Sequence, residues 1–107
     1  MDNNEKLSRL QVLISPDTAD DDLLLYILEQ SEGIVLNKRY PFGIPEGVGV
    51  PMQYEQIQLR IAVEIFSKMG ADGQLSHSEN GISRSWEAGD VSPSLLRQIT
   101  PCVGSVK

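Results

Sequence analysis

One cysteine, one histidine and one tryptophan stand among 107 residues, and lysine and arginine together number nine against fifteen aspartates and glutamates. Each shortage removes a class of protein. Cys102 has no partner within the chain, so no intrachain disulfide staples the fold, and such a sequence suits a reducing compartment. A cysteine-based zinc site is excluded, and one histidine with scattered carboxylates supplies too few ligands for another metal. The formal charge of −6 sets the molecule against nucleic-acid phosphate and anionic membrane alike. The opening MDNNEKLSRL lacks the basic start and apolar run of a signal peptide, and no apolar stretch approaches membrane-spanning length. The expectation is a soluble, intracellular protein with no membrane partner. Internal repeats and low-complexity tracts are missing too.

The apolar and charged fractions, 40% and 22%, are ordinary for a globular domain, and the length fits one domain over 1–107. The apolar residues gather in a few segments of helical period, which predicts a mainly α fold, a small bundle of about four helices. Leu7, Leu10 and Ile14 mark a short helix over 4–14, stopped by Pro16. In SPDTADDD, Asp17, Thr18 and Asp20 are candidate N-caps, and the acids 20–22 would sit at the positive end of a second helix dipole. Leu23, Leu24, Ile27, Leu28, Ile34 and Val35, with Ser31 among them, form that helix's core face. Leu25, Tyr26 and Leu36 project elsewhere, either as a second buried surface or as the scattered exposed apolar residues common on proteins.

Residues 40–51, YPFGIPEGVGVP, hold three prolines and three glycines and cannot be helix or central strand. Phe42, Ile44, Val48 and Val50 predict a loop that packs along the helices. From 52 to 69 runs the strongest helix, with Pro51 at its start and Gly70 at its end. Its polar face carries Gln53, Gln56, Arg60, Glu64, Ser67 and Lys68. The remainder, including Leu59, Ile61, Ala62, Val63, Ile65, Phe66 and Met69, is wide enough to mark the central helix. Beyond it, Asn80-Gly81 suits a type I′ turn and predicts a β-hairpin arm over 74–88, pairing 75–79 with 82–86. Neither face of that hairpin is apolar enough for a sheet core, so the arm should need a neighbour. Ser92 and Pro93 then open a last short helix with Leu95, Leu96 and Ile99 on its apolar patch, stopped by Pro101. A flexible tail, 101–107, follows.

These residues support little chemistry. Ser76, His77 and Ser78 are sequence neighbours on a predicted strand, where adjacent side chains point to opposite faces and nothing orients a triad. The acids 20–22 lack the ligand spacing and turn glycine of an EF-hand, and GVGV lacks a P-loop lysine. No catalytic residue and no cofactor is expected. A winged-helix DNA-binding regulator is the alternative, since helices precede a hairpin bearing Arg84 and Trp86. Against it, the best recognition helix has only Arg60 and Lys68, offset by Glu55 and Glu64.

The order QLRIAVEIFSKMGADG, then SHSENGISRSWEAGDVSPSLLRQITP, resembles the phage head-tail connector family, also called head-completion or adaptor proteins, with its Gln-Leu-Arg-Gly signature. Gln58, Leu59 and Arg60 stand in the signature, with Ile61 in place of the glycine, and the DDDLLLYIL helix start is similar as well. The resemblance implies a non-enzymatic virion subunit, made in the host cytoplasm or from a prophage. It would form a ring, usually twelve-fold, beneath the portal protein, extend the DNA channel without sequence-specific binding, and dock the tail or a further adaptor. It makes Leu25, Tyr26, Leu36, Arg60 and Glu64 candidate subunit contacts. Ser76, His77, Glu79, Asn80, Gly81, Arg84 and Trp86 become an arm toward neighbours or the channel. Ile99, Pro101, Val103 and Val106 become candidates for docking to the portal.

Overall fold

The computed structural model describes residues 2–15, 17, 19–71 and 91–101, with residues 70 and 71 as backbone alone. The described residues form four α-helices and no strand: α1 (Asn3–Ile14), α2 (Asp21–Arg39), α3 (Glu55–Ala71) and α4 (Pro93–Leu96), with a 3-10 turn, Met52–Tyr54, leading into α3. The helical bundle expected from the apolar period is thus present. The predicted hairpin lies outside the described residues.

Local sequence explains each start. Asp2 caps α1, its carboxylate accepting from the Glu5 N–H at 2.8 Å. Asp20 holds the N-cap position of α2, yet its side chain makes no capping hydrogen bond. The start of α2 instead rests on Asp21 and Asp22 in its first turn, balanced by Lys38 and Arg39 in its last, the arrangement its dipole favours. Pro51 precedes the 3-10 turn, whose Tyr54 N–H reaches the Pro51 carbonyl at 2.8 Å. Gly70 does not end α3, which runs through Ala71. Pro93 occupies the first turn of α4, where a missing N–H costs nothing.

The loop between α2 and α3 is two tight turns in series. Tyr40-Pro41-Phe42-Gly43 closes with the Gly43 N–H on the Tyr40 carbonyl at 3.1 Å, and Pro45-Glu46-Gly47-Val48 with Val48 on Pro45 at 3.4 Å. Proline presets the second position of the first turn, and Gly47, at φ 80°, supplies the positive φ that the third position of a type II turn demands. Val48 and Val50 are partly buried, Val50 against the core, as expected of a loop that packs. Phe42 and Ile44 depart from that expectation and face outward, 84% and 42% exposed. The first turn carries Phe42 and Ile44 joins it to the second, and among the described residues no helix covers either side chain.

The core joins Leu10 and Ile14 of α1, the Leu23–Val35 face of α2, most of the apolar surface of α3, and Val91, Leu95 and Ile99. α3 is central: Leu59, Ile61, Ala62, Ile65 and Met69 are sealed within it. α2 runs antiparallel to α3, with Arg39 at its end lying over the ring of Tyr54 at the start of the other.

Candidate assembly surfaces

Polar groups inside the bundle set its geometry. Gln58, the first residue of the signature, is buried between three helices. Its Oε1 accepts from Lys6 Nζ of α1 at 2.6 Å, and its Nε2 donates to the Leu28 carbonyl of α2 at 3.1 Å. Ser31 Oγ donates to the same carbonyl at 2.8 Å. Lys6, Gln58 and Ser31 are all buried, and buried polar groups are tolerated only when paired. Each is paired, Lys6 with Gln58 and both Gln58 and Ser31 with the Leu28 carbonyl, and the Lys6–Gln58–Leu28 chain links α1, α3 and α2. Leu59 beside them is core, as its place in the signature implied, while Arg60 turns outward.

A second set ties the segment 91–101 to α3. The Ser92 N–H and Oγ–H both donate to the Glu64 carboxylate, at 2.8 and 2.6 Å. Ser92 therefore sits at the N-cap position of α4 while its hydroxyl serves Glu64. At the other end Arg39 donates to the Thr100 carbonyl at 2.7 Å, and the Thr100 N–H donates to the Tyr54 hydroxyl at 3.1 Å. The Arg39 guanidinium lies 5.8 Å from the ring centres of both Tyr40 and Tyr54. The hydrogen bond from Thr100 holds the Tyr54 phenol below the usual tyrosine range, overcoming burial, which acts the other way. At Tyr26 burial dominates, and with the Glu29 carboxylate it raises the phenol above that range.

The Glu64 clamp is directly testable. Glu64→Gln and Ser92→Ala should each lower stability in urea by about 1–2 kcal/mol, the cost of a charge-assisted hydrogen bond in a partly buried site. Because both variants act on the Ser92 hydroxyl–Glu64 hydrogen bond, the double variant should cost clearly less than their sum.

The candidate subunit contacts do not form one surface. Leu25 faces outward at 39% exposure beside Glu29 and Glu32. Tyr26 is partly buried against the core. Leu36, expected off the core face, is buried within the subunit at 7% exposure. The end of α2 is where the 3-10 turn and residues 99–101 converge, so burial there extends beyond one stripe. Glu64 is committed to Ser92, whereas Arg60 lines an open hollow with Leu13, Val63 and Ser94. Of the docking candidates, Ile99 is 1% exposed in the core and Pro101 is exposed. Ser76, His77, Glu79, Asn80, Gly81, Arg84, Trp86, Val103 and Val106 lie outside the described residues.

Three further apolar side chains are open. Val12 and Leu13 of α1 are 73% and 49% exposed, and Met52 is 84% exposed. Val12 and Leu13 border a groove of about 470 Å³ between α1 and α3 that also has Arg9, Gln56 and Leu59 in its walls. Leu13 also borders the hollow at Arg60. The signal was present: Lys6, Leu10 and Ile14 complete the buried stripe of α1, which leaves Val12 and Leu13 apolar without a core role.

Among the described residues no group of three or more histidine, cysteine, aspartate or glutamate side chains could hold a metal ion, and no helix is long and apolar enough to cross a membrane. What the surface offers is apolar contact area on rigid helices and turns, the equipment of a structural subunit. The phage gp6-like head-tail connector family matches residues 6–99, nearly the whole chain, and the protein belongs to that family. It is a bacteriophage structural protein of the head-tail connection. No curated protein and no solved structure is a significant match.

Proposed function

We propose that the chain is one subunit of a homo-oligomeric ring that sits beneath the phage portal, continues the DNA channel out of the head, and presents a docking surface to the tail or a further adaptor. Family membership supports the connection of head to tail. The observation that carries the ring is the surplus of apolar surface on two separate features: Val12 and Leu13 on α1, and Phe42, Ile44 and Met52 on the loop and 3-10 turn. A monomer gains nothing from holding such groups in water, and contiguous exposed apolar area marks association sites. Twelve subunits are the expected count. The formal charge of −6 suits a conduit, since carboxylates facing a lumen give phosphate nothing to grip and let DNA slide. The DNA-binding alternative draws no support from α3, where the half-buried Glu64 lies between Arg60 and Lys68.

Mixing the purified protein with its portal and following mass by light scattering tests the reading. Growth to a defined complex larger than the portal alone is expected. A chain that stays monomeric and never joins the portal overturns it.

A further inference from the structure

We infer that Arg39 and Tyr54 are positioning residues for portal docking: together they clasp Thr100 and fix the direction in which the chain leaves the bundle at Pro101. This rests on the reading in which the chain from Pro101 onward meets the portal, and it names the residues that aim it.

The clasp closes on one residue from both sides. Arg39 Nη1, at the end of α2, donates to the Thr100 carbonyl at 2.7 Å. The Thr100 N–H donates at 3.1 Å to the hydroxyl of Tyr54, at the entrance to α3. Side chains therefore hold both backbone polar groups of the last residue before the exit. The carbonyl that Arg39 holds belongs to the peptide bond into Pro101, so the orientation of that rigid plane is set directly. Proline adds two restrictions: its ring fixes its own φ near about −65°, and it biases the residue before it toward extended backbone.

Direction, more than attachment, is what the clasp contributes. Ile99 already anchors the segment, sealed at 1% exposure in the core, and Ser92 ties its other end to Glu64. Thr100 is exposed, so water would serve its N–H and carbonyl if the clasp were absent. The arginine is held against its own preference: its guanidinium lies 5.8 Å from the ring centres of Tyr40 and Tyr54, and among the described residues its buried Nε has no hydrogen-bond partner. A buried donor without an acceptor is destabilising, so stability alone favours turning this side chain out to water. Tyr54 is 6% exposed, so its hydroxyl acts on docking through Thr100 and not by contact. A segment that leaves in a set direction has less freedom to lose on capture, which tightens binding without any added contact.

The chain's one cysteine, Cys102, stands two residues beyond Thr100, and a nitroxide placed on it reads the clasp without any portal. Tyr54→Phe deletes the acceptor and keeps the ring, and Arg39→Met deletes the donor and keeps the stem. Both should make the label more mobile, and Arg39→Lys, which restores a donor, should reverse part of the change. Unchanged spectra in both overturn the inference. Read at a temperature where each variant is folded by circular dichroism, portal capture by Tyr54→Phe should weaken by about ten-fold, equivalent to ordering about one more residue of backbone on binding. Capture at the parent level overturns the inference as well. Combining Tyr54→Phe with removal of residues 101–107 excludes a role in the fold alone: in the truncated chain the substitution should leave residual capture unchanged, because nothing remains to be aimed. An equal loss with and without 101–107 defeats the inference. Where truncation leaves no capture at all, 101–107 is the whole docking element and the full-length variants decide. A truncated chain that captures portal undiminished overturns the docking reading itself, and the label spectra separate that failure from failure of the clasp.

Discussion

Gln58→Leu should lower stability by about 3 kcal/mol, because it strands the Lys6 ammonium in a buried site with no acceptor. For a domain of this size that corresponds to a fall of roughly 10–20 °C in Tm. The side chain looks replaceable from its size alone, since leucine fills a similar volume among Leu59, Ile61 and Ile65. Polarity forbids the exchange. Lys6 Nζ is 2.6 Å from Gln58 Oε1 and Lys6 is only 6% exposed, so the ammonium relies on that acceptor. The Leu28 carbonyl suffers less, since Ser31 Oγ still donates to it. Lys6→Met leaves a neutral carbonyl oxygen unpaired and should cost about 1–3 kcal/mol. The decisive comparison is the double variant, Lys6→Met with Gln58→Leu, which removes both ends and leaves an apolar contact. It should be more stable than Gln58→Leu alone, by thermal or urea unfolding. If the double variant is the least stable of the three, the pair is not what fixes α1 on α3.

That network shows where the sequence is readable and where it is not. The presence of α1, α2 and α3 follows from apolar period, because the residues that form the stripes are the same ones that are sealed, while the punctuation misplaces the ends of α3, which opens with a 3-10 turn and runs past Gly70. Ser31 could be placed in the core by its neighbours on the α2 wheel. Gln58 and Lys6 carry the same kind of signal: Gln58 falls on the stripe of Ile61, Ala62 and Ile65, and Lys6 on that of Leu10 and Ile14. Polar residues default to solvent in any such reading, so a buried pair emerges only when two helices are known to touch. Matching the signature identified Gln58 without saying what it does. The structure supplies the physical reason a glutamine suits that position, one acceptor for α1 and one donor for α2.

The candidate assembly surfaces were less legible for a different reason. Leu25, Tyr26 and Leu36 all point away from the core stripe of one helix, but exposure depends on what covers each end of that helix. Arg39, Tyr54 and Thr100 close around the end of α2, and Leu36 is shut in near them. Conversely, apolar character alone predicts packing for Phe42 and Ile44, while the loop's turns leave both facing outward. A turn's direction depends on backbone dihedrals at Gly43 and Gly47, and composition says only that a turn is there.

Ile99→Ala should cost about 2–5 kcal/mol, the range for emptying a sealed aliphatic site, and so should act on the fold before it acts on docking. Ile99 is 1% exposed and packs in the same core as Leu95 and Val91. Either side of it the chain is pinned: Ser92 by Glu64, and Thr100 by Arg39 and Tyr54. The segment 91–100 is therefore part of the bundle, and Pro101 just beyond it is exposed. A truncation removing 101–107 keeps Thr100 and all three attachments, so it should unfold at nearly the parent temperature while binding the portal more weakly. Circular dichroism melts and portal capture of the two variants separate these effects. Ile99→Ala should melt early, and at a temperature where it stays folded it should capture portal as the parent does. If instead Ile99→Ala melts with the parent and loses capture, the residue is a docking contact and its place in the core is wrong. If the truncated chain captures portal undiminished, docking belongs to another surface, and the exit of the chain at Pro101 has no part in it.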